Sequence, residues 1–128
     1  MRKDVYRPNV AIIILNKSAK LLWCQRKDHS GWQFPQGGID KNESPEEAIY
    51  RETEEEVGLN KKDLKLIYEL DSWIKYDVPK EKRGTYFFRS KKFKGQKQKW
   101  FLAEMLCDES KINIQSSFPN EFDKWCWV

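Results

Sequence analysis

Histidine is almost missing from this 128-residue chain; the only one is His29. A Ser–His–Asp triad or an imidazole metal centre has little to be built from, and His29 is expected in a polar loop. Cysteine is sparse as well. Cys24, Cys107 and Cys126 lie far apart with no Cys-x-x-Cys pair. That excludes the usual zinc spacings and a disulfide scaffold, and it fits a reducing compartment. The three are expected as core or half-buried thiols. Long apolar runs are absent too: residues 10–15 form only a strand-sized one, so no membrane span and no membrane partner are expected. The Met1-Arg2-Lys3-Asp4 start is not followed by an apolar stretch, so a secretory leader is not expected and a cytoplasmic location is. Repeats and low-complexity segments are also lacking.

What the chain has in quantity is aromatic side chains and charge. Hydrophobic residues make up 39%, with six Trp, seven Phe and five Tyr, enough for a folded core in one domain over 1–128. The net charge of +4 conceals a division. Residues 43–56 hold seven Glu and one Arg, net −6, whereas residues 80–99 hold nine Lys or Arg and one acid, net +8. An acidic site facing a basic rim suits a polyanionic substrate, steered by the cations.

The acidic segment has the signals of a helix. Ser44 stands at an N-cap position, Pro45 at N1, and Glu47 completes a capping box; Gly58 is the expected stop. Within it Glu52, Glu55 and Glu56 are spaced i, i+3, i+4, so their carboxylates share a face, while Ile49, Thr53 and Val57 form a stripe that can bury against a sheet. Like charges at these spacings each cost about 0.2–0.5 kcal/mol on an exposed helix. A divalent cation turns that repulsion into attraction, and all-oxygen ligation suits Mg²⁺ foremost, with Mn²⁺ as the alternative. A solvated acidic face is the plainer reading of the same run.

Elsewhere the pattern is mostly strands. Residues 8–15 and 21–26 read as a hairpin joined by a polar turn at 16–20. Residues 32–34 read as a short strand leading into a Pro35-Gln36-Gly37-Gly38 loop. Residues 64–76 read as one or two strands, 85–89 and 97–106 as two more, 112–114 as a brief strand, and 122–128 as the last.

Spacing supplies the sharper signal. Gly37, Glu43, Arg51, Glu52, Glu55, Glu56, Gly58 and Leu59 resemble the Nudix box, a pattern that spans residues 37–59 here. Thr53 departs from it, standing where the family usually has a bulky aliphatic residue. Tyr6-Arg7-Pro8-Asn9-Val10, Trp32-Gln33-Phe34-Pro35-Gln36, Gly95-Gln96-Lys97-Gln98-Lys99-Trp100-Phe101 and Glu121-Phe122-Asp123-Lys124-Trp125 are similar to bacterial RNA pyrophosphohydrolases and to the related asymmetric dinucleoside tetraphosphate hydrolases. The resemblance implies an α/β fold of the Nudix type, an α/β/α sandwich around a mixed sheet. It also implies more than one divalent ion per site, held by Glu52, Glu55, Glu56, Glu121 and the carbonyl of Gly37, with Glu52 or Glu55 as general base. Arg51 would pair with Glu43 in support. Substrate contacts would fall to Arg7, Arg26, Tyr76, Gln96, Lys97 and Lys99, with Trp32 and Trp73 facing the cleft as a lesser reading. The implied partner is 5′-polyphosphorylated RNA or a dinucleoside polyphosphate, not DNA. A catalytically silent nucleotide-binding module of the same fold is the competing class. Gly31 stands where a serine often contacts substrate. Relatives usually continue into a C-terminal helix that helps hold the second nucleotide; that helix is expected to be absent here.

Overall fold

A computed structural model of the chain describes residues 5–28, 31–83, 92–116 and 120–128. The expectations for Met1–Asp4, His29 and the strand at 85–89 lie outside the described residues.

Ten residues of apolar and β-branched sequence make β1 (Tyr6–Leu15), and it is central. One edge pairs parallel with β7 (Gly95–Met105) along its whole length; the other pairs antiparallel with β4 (Gln36–Gly38). The free edge of β7 is shared end to end by β5 (Leu64–Glu69) and β6 (Ile74–Asp77), completing a five-stranded mixed sheet. A second sheet of three strands has β2 (Leu22–Arg26) between β3 (Trp32–Gln33) and β8 (Phe122–Trp127).

This arrangement corrects the expected hairpin. After one isolated bridge between Leu15 and Leu21, β1 and β2 part into different sheets. β7 takes one edge of β1 throughout, and on the other edge β4 takes Asn9–Ala11 and the Pro35 carbonyl takes the Ile12 N–H, so β2 meets β1 only at the Leu15 bridge. The same pairing turns the expected loop at Gln36–Gly38 into a strand. Residues 112–114 are not a strand either. The Asn113 N–H donates to the Val57 carbonyl (2.8 Å), and Ser116 Oγ donates to the carbonyls of Glu54 (3.0 Å) and Glu55 (2.9 Å). That segment covers the carbonyl end of the helix, where intrahelical donors run out; the Glu54 carbonyl also accepts the Gly58 N–H at 3.0 Å.

The helix, α1 (Pro45–Val57), forms as its local signals require. Ser44 Oγ accepts from Glu47 N, Glu47 returns the bond to Ser44 N, and Gly58 closes the end in a left-handed conformation (φ 76°). The core lies between one face of the mixed sheet, α1 and the small sheet. Val10, Ile12 and Ile14 of β1 and Phe101, Ala103 and Met105 of β7 meet Ala48, Ile49 and Val57 of α1 and Leu22, Cys24 and Phe122 of the small sheet. Thr53 is fully buried, and its hydroxyl donates to the Ile49 carbonyl at 2.6 Å, so its polar atom is satisfied within its own helix. Cys24 is a core thiol pushed up to about 12 by burial and then by the charge of Glu56, while Cys107 and Cys126 are half-buried. Among the described residues no helix is long and apolar enough to cross a membrane.

Candidate active site

Two consecutive glycines let charged side chains approach both faces of the sheet edge. A side chain at Gly37 would occupy the place of the Glu52 carboxylate, and one at Gly38 would collide with the Arg7 guanidinium. Successive residues of a strand face opposite ways, so the acid and the base lie on opposite faces of β4. Gly37→Ala is expected to displace Glu52 and to lower turnover by tenfold or more, about the cost of shifting a catalytic group by roughly 1 Å. The kcat of the variant, with circular dichroism as the check on folding, tests this; unchanged turnover would mean that Glu52 need not sit there.

Arg51 organises the acidic helix. Its Nε and Nη2 fork onto Glu43 at 2.7 and 2.9 Å, Nη2 also donates to the Gly38 carbonyl (2.8 Å), and Nη1 donates to Glu52 Oε1 (2.8 Å) and more distantly to Glu55 Oε2 (3.4 Å). Glu43 accepts a further bond from the Asp40 N–H (2.9 Å). The Arg51 guanidinium beside it holds the Glu43 carboxyl below the usual carboxylate range. The expected Arg51–Glu43 pair is therefore present, and it ties the loop before α1 to the strand that carries Gly38.

Glu56 is the buried member of the acidic set, 6% exposed. Its Oε1 accepts the Gln36 N–H at 2.9 Å. Gln36 is itself held, since Gln98 Nε2 donates both to Gln36 Oε1 (2.7 Å) and to Asn9 Oδ1 (3.1 Å). Burial pushes the Glu56 carboxyl well up, and the charges of Glu52 and Glu121 push the same way, against the Gln36 N–H and the Arg26 charge. Burial also raises Glu52, opposed by Arg51 and abetted by Glu55 and Glu121. Glu121, just before β8, thus joins the electrostatic neighbourhood of the two helix carboxylates, while Glu55 is half-exposed. Among the described residues no three His, Cys, Asp or Glu side chains are already gathered as a metal cage. The donor set nevertheless fits a hard cation: the carboxylates are crowded enough to raise one another's proton affinity, and a divalent ion would relieve that crowding.

The expected substrate contacts divide between the two faces. Arg7, Gln96 and Tyr76 fall in one row across β1, β7 and β6. Burial raises the Tyr76 hydroxyl while the Arg7 charge lowers it. Lys97 and Lys99 alternate to the opposite face and stand over the Trp73 ring at 5.1 and 5.7 Å. Lys99 Nζ is further engaged by the Asp71 carbonyl (2.8 Å) and by Glu69 (3.6 Å). Trp73 thus supports lysines. Trp32 does line a cleft, a hollow of about 270 Å³ walled by Trp23, Phe34 and Trp100 with Gln36, Gln98 and Tyr76. Sequence reasoning missed Trp23, Phe34, Trp100 and Gln98, whose shared wall depends on pairings between distant strands. It also missed Asp28, which forks onto Arg26. Gly31 adopts φ 115°, a conformation in which serine would be strained, and its carbonyl accepts the Arg26 N–H (2.8 Å). The missing serine thus has a backbone reason.

Comparison with known proteins agrees with this geometry. The NUDIX domain family matches residues 5–128. An RNA pyrophosphohydrolase of Pectobacterium atrosepticum is 50% identical over 125 residues, 98% of this chain and 70% of that protein. One from Yersinia pestis is 48% identical over the same shares. Among solved structures, the Escherichia coli dihydroneopterin triphosphate pyrophosphohydrolase superposes with a TM-score of 0.75 at 20% identity, covering 98% of this chain and 83% of that one. A Caenorhabditis elegans Ap4A hydrolase superposes with a TM-score of 0.69 at 22% identity, covering 94% and 78%. At those identities the two structures speak for the fold alone. The domain match across nearly the whole chain, the half-identical relatives and the Gly37–Glu52 contact agree: the chain belongs to the Nudix family.

Proposed function

We propose that this chain is a metal-dependent pyrophosphohydrolase that removes pyrophosphate or phosphates from the 5′ end of RNA, leaves a 5′-monophosphate and so opens the RNA to decay. The observation that carries the reading is the near-50% identity, over 98% of the chain, to proteins named RNA pyrophosphohydrolase. The acidic site supports the chemistry. Glu52, Glu55, Glu56, Glu121 and the Gly37 carbonyl would hold divalent ions, Mg²⁺ by preference for hard oxygen donors. When bound, such ions neutralise phosphate oxygens and make a water more acidic.

The chain's own residues do the rest. Glu52 is the better placed of the two candidate bases. Burial raises its proton affinity, which favours accepting a proton from an attacking water, and Arg51 fixes its orientation. Arg7 presents its guanidinium over Gly38, within reach of a polyphosphate crossing the sheet edge. The aromatic cleft next to Gln36 offers ring faces to a nucleobase.

Hydrolysis of 5′-triphosphate RNA, 5′-diphosphate RNA and diadenosine tetraphosphate with Mg²⁺ tests the assignment. An RNA end is expected to give the highest kcat/KM. A preference for diadenosine tetraphosphate would move the chain to the dinucleoside polyphosphate hydrolases, and no turnover of any of the three would leave a binding module.

A further inference from the structure

Arg26 stands between two carboxylates and is shared unequally. Its Nε donates to Asp28 Oδ1 at 3.1 Å and its Nη2 to Asp28 Oδ2 at 2.8 Å, a fork that occupies one whole edge of the guanidinium. The same Nη2 is 3.5 Å from Glu121 Oε2, outside a good hydrogen bond. The backbone keeps these groups together. Arg26 sits at a bulge in the β2–β8 ladder, its N–H donates to the Gly31 carbonyl at 2.8 Å, and the next N–H, of Lys27, donates to the Glu121 carbonyl at 2.9 Å. The Arg26 backbone is thereby held beside that of Glu121. The Arg26 and Asp28 side chains keep only 27% and 28% of their exposure, so solvent screens their fork less than it screens the Arg26–Glu121 approach, where Glu121 is 48% exposed.

An arginine this close to a carboxylate competes with any cation that the carboxylate is meant to hold. Taken off Asp28, the Arg26 fork would find Glu121 as its nearest carboxylate, and fork-to-carboxylate pairing is the strongest arrangement open to it. We propose that Asp28 is a positioning residue for the cation site: by occupying the Nε/Nη2 edge of Arg26, it keeps the guanidinium off Glu121 and leaves that carboxylate to the divalent ion. The inference rests on the reading of Glu121 as a cation ligand.

Asp28 could instead attract the cation directly by its own charge, and a double-mutant cycle separates the two. Mn²⁺ binding to the full chain, read from the loss of the free-ion electron paramagnetic resonance signal, requires no turnover. Asp28→Asn is expected to weaken Mn²⁺ binding by about three- to fivefold, the size of a half-exposed ion pair. Arg26→Gln is expected to tighten it, and the double variant to bind like Arg26→Gln alone. Asp28→Asn weakening binding equally in the Arg26→Gln background would overturn the proposal, as would no effect in the wild-type background. Asp28→Ser and Arg26→Met repeat the cycle if a first variant fails to fold. Wild-type chain that binds no Mn²⁺ would instead overturn the metal reading itself.

Discussion

Glu56→Gln is expected to lower Mg²⁺-dependent hydrolysis by about a hundredfold or more, since on the proposed assignment it would remove one ligand charge from the ions that would neutralise the phosphates. It is also expected to make the metal-free protein more stable at neutral pH. Both effects come from the same burial. Glu56 is nearly inaccessible and accepts a hydrogen bond from Gln36 N, a bond that a glutamine carbonyl can keep. Its proton affinity in the fold is raised from the ordinary value of 4.5 by burial and by Glu52 and Glu121. A carboxyl with raised folded-state affinity stabilises the fold fully below its unfolded value and loses that contribution as pH rises through the folded one. The metal-free wild type should therefore lose stability relative to Glu56→Gln as pH rises from the ordinary carboxyl value of 4.5 toward neutral and beyond, and the two should converge below 4.5. A midpoint gap of roughly 3–6 °C at neutral pH corresponds to a difference of about 1 kcal/mol in a domain of this size. Thermal melts in chelator across that pH range check the stability claim, and turnover of 5′-diphosphate RNA checks the catalytic one. Near-normal turnover would remove Glu56 from the metal site. A melting gap that does not change with pH would mean that the Glu56 charge is not what strains the fold.

The acidic helix was legible because everything that defines it is local. Its cap, its Pro45, its stop at Gly58 and the spacing of its glutamates all lie within fifteen residues, and the structure contains each of them. The resemblance to the Nudix box further implied the pairing of Arg51 with Glu43, which the structure contains. The strand pairings were not legible in the same way. Whether residues 21–26 fold back on 8–15 depends on which segments take the edges of β1: β7, about ninety residues away, fills one throughout, and β4 takes Asn9–Ala11 on the other. The division of Gln96 from Lys97 and Lys99 follows from strand alternation once β7 is known to be one unbroken strand. Grouping them by sequence proximity put them in one site; the sheet puts them on two faces. Asp28 illustrates the remaining limit. Nothing in the Arg26-Lys27-Asp28 run marks the acid as a partner of the arginine, since Asp28 lies past the end of β2 in the turn that follows it.

Arg51→Lys keeps the charge at 51 and is expected to do nearly as much damage as removing it. The guanidinium makes four bonds of 2.7–2.9 Å, two to Glu43, one to Glu52 and one to the Gly38 carbonyl. A lysine ammonium is a compact charge on a flexible stem, and it cannot fork onto Glu43 while also reaching the other two. Glu43 and Glu52 keep only 15% and 14% of their side-chain exposure, so the groups left behind are largely out of water. Leaving one such partner without its charge-assisted bond costs about 1.5–3 kcal/mol. A stability loss of about 2 kcal/mol is therefore expected for Arg51→Lys, and about 3 kcal/mol or more for Arg51→Ala. The pH dependence has the opposite sign to that of Glu56. Glu43 is held below its ordinary 4.5 by Arg51, so its contribution is complete above that value and is lost as pH falls through the lower folded-state one. Wild type and Arg51→Ala should accordingly differ most at neutral pH and approach each other in acid. Activity should fall alongside if Glu52 has the proposed role, because it loses the Arg51 bond that orients it beside Gly37, and displacing a catalytic group by roughly 1 Å costs up to about a hundredfold. Urea denaturation at pH 7 and pH 4, paired with kcat on 5′-diphosphate RNA, measures both effects. An Arg51→Lys protein with wild-type stability and turnover would show that one charge suffices at this position and that the fork geometry is incidental.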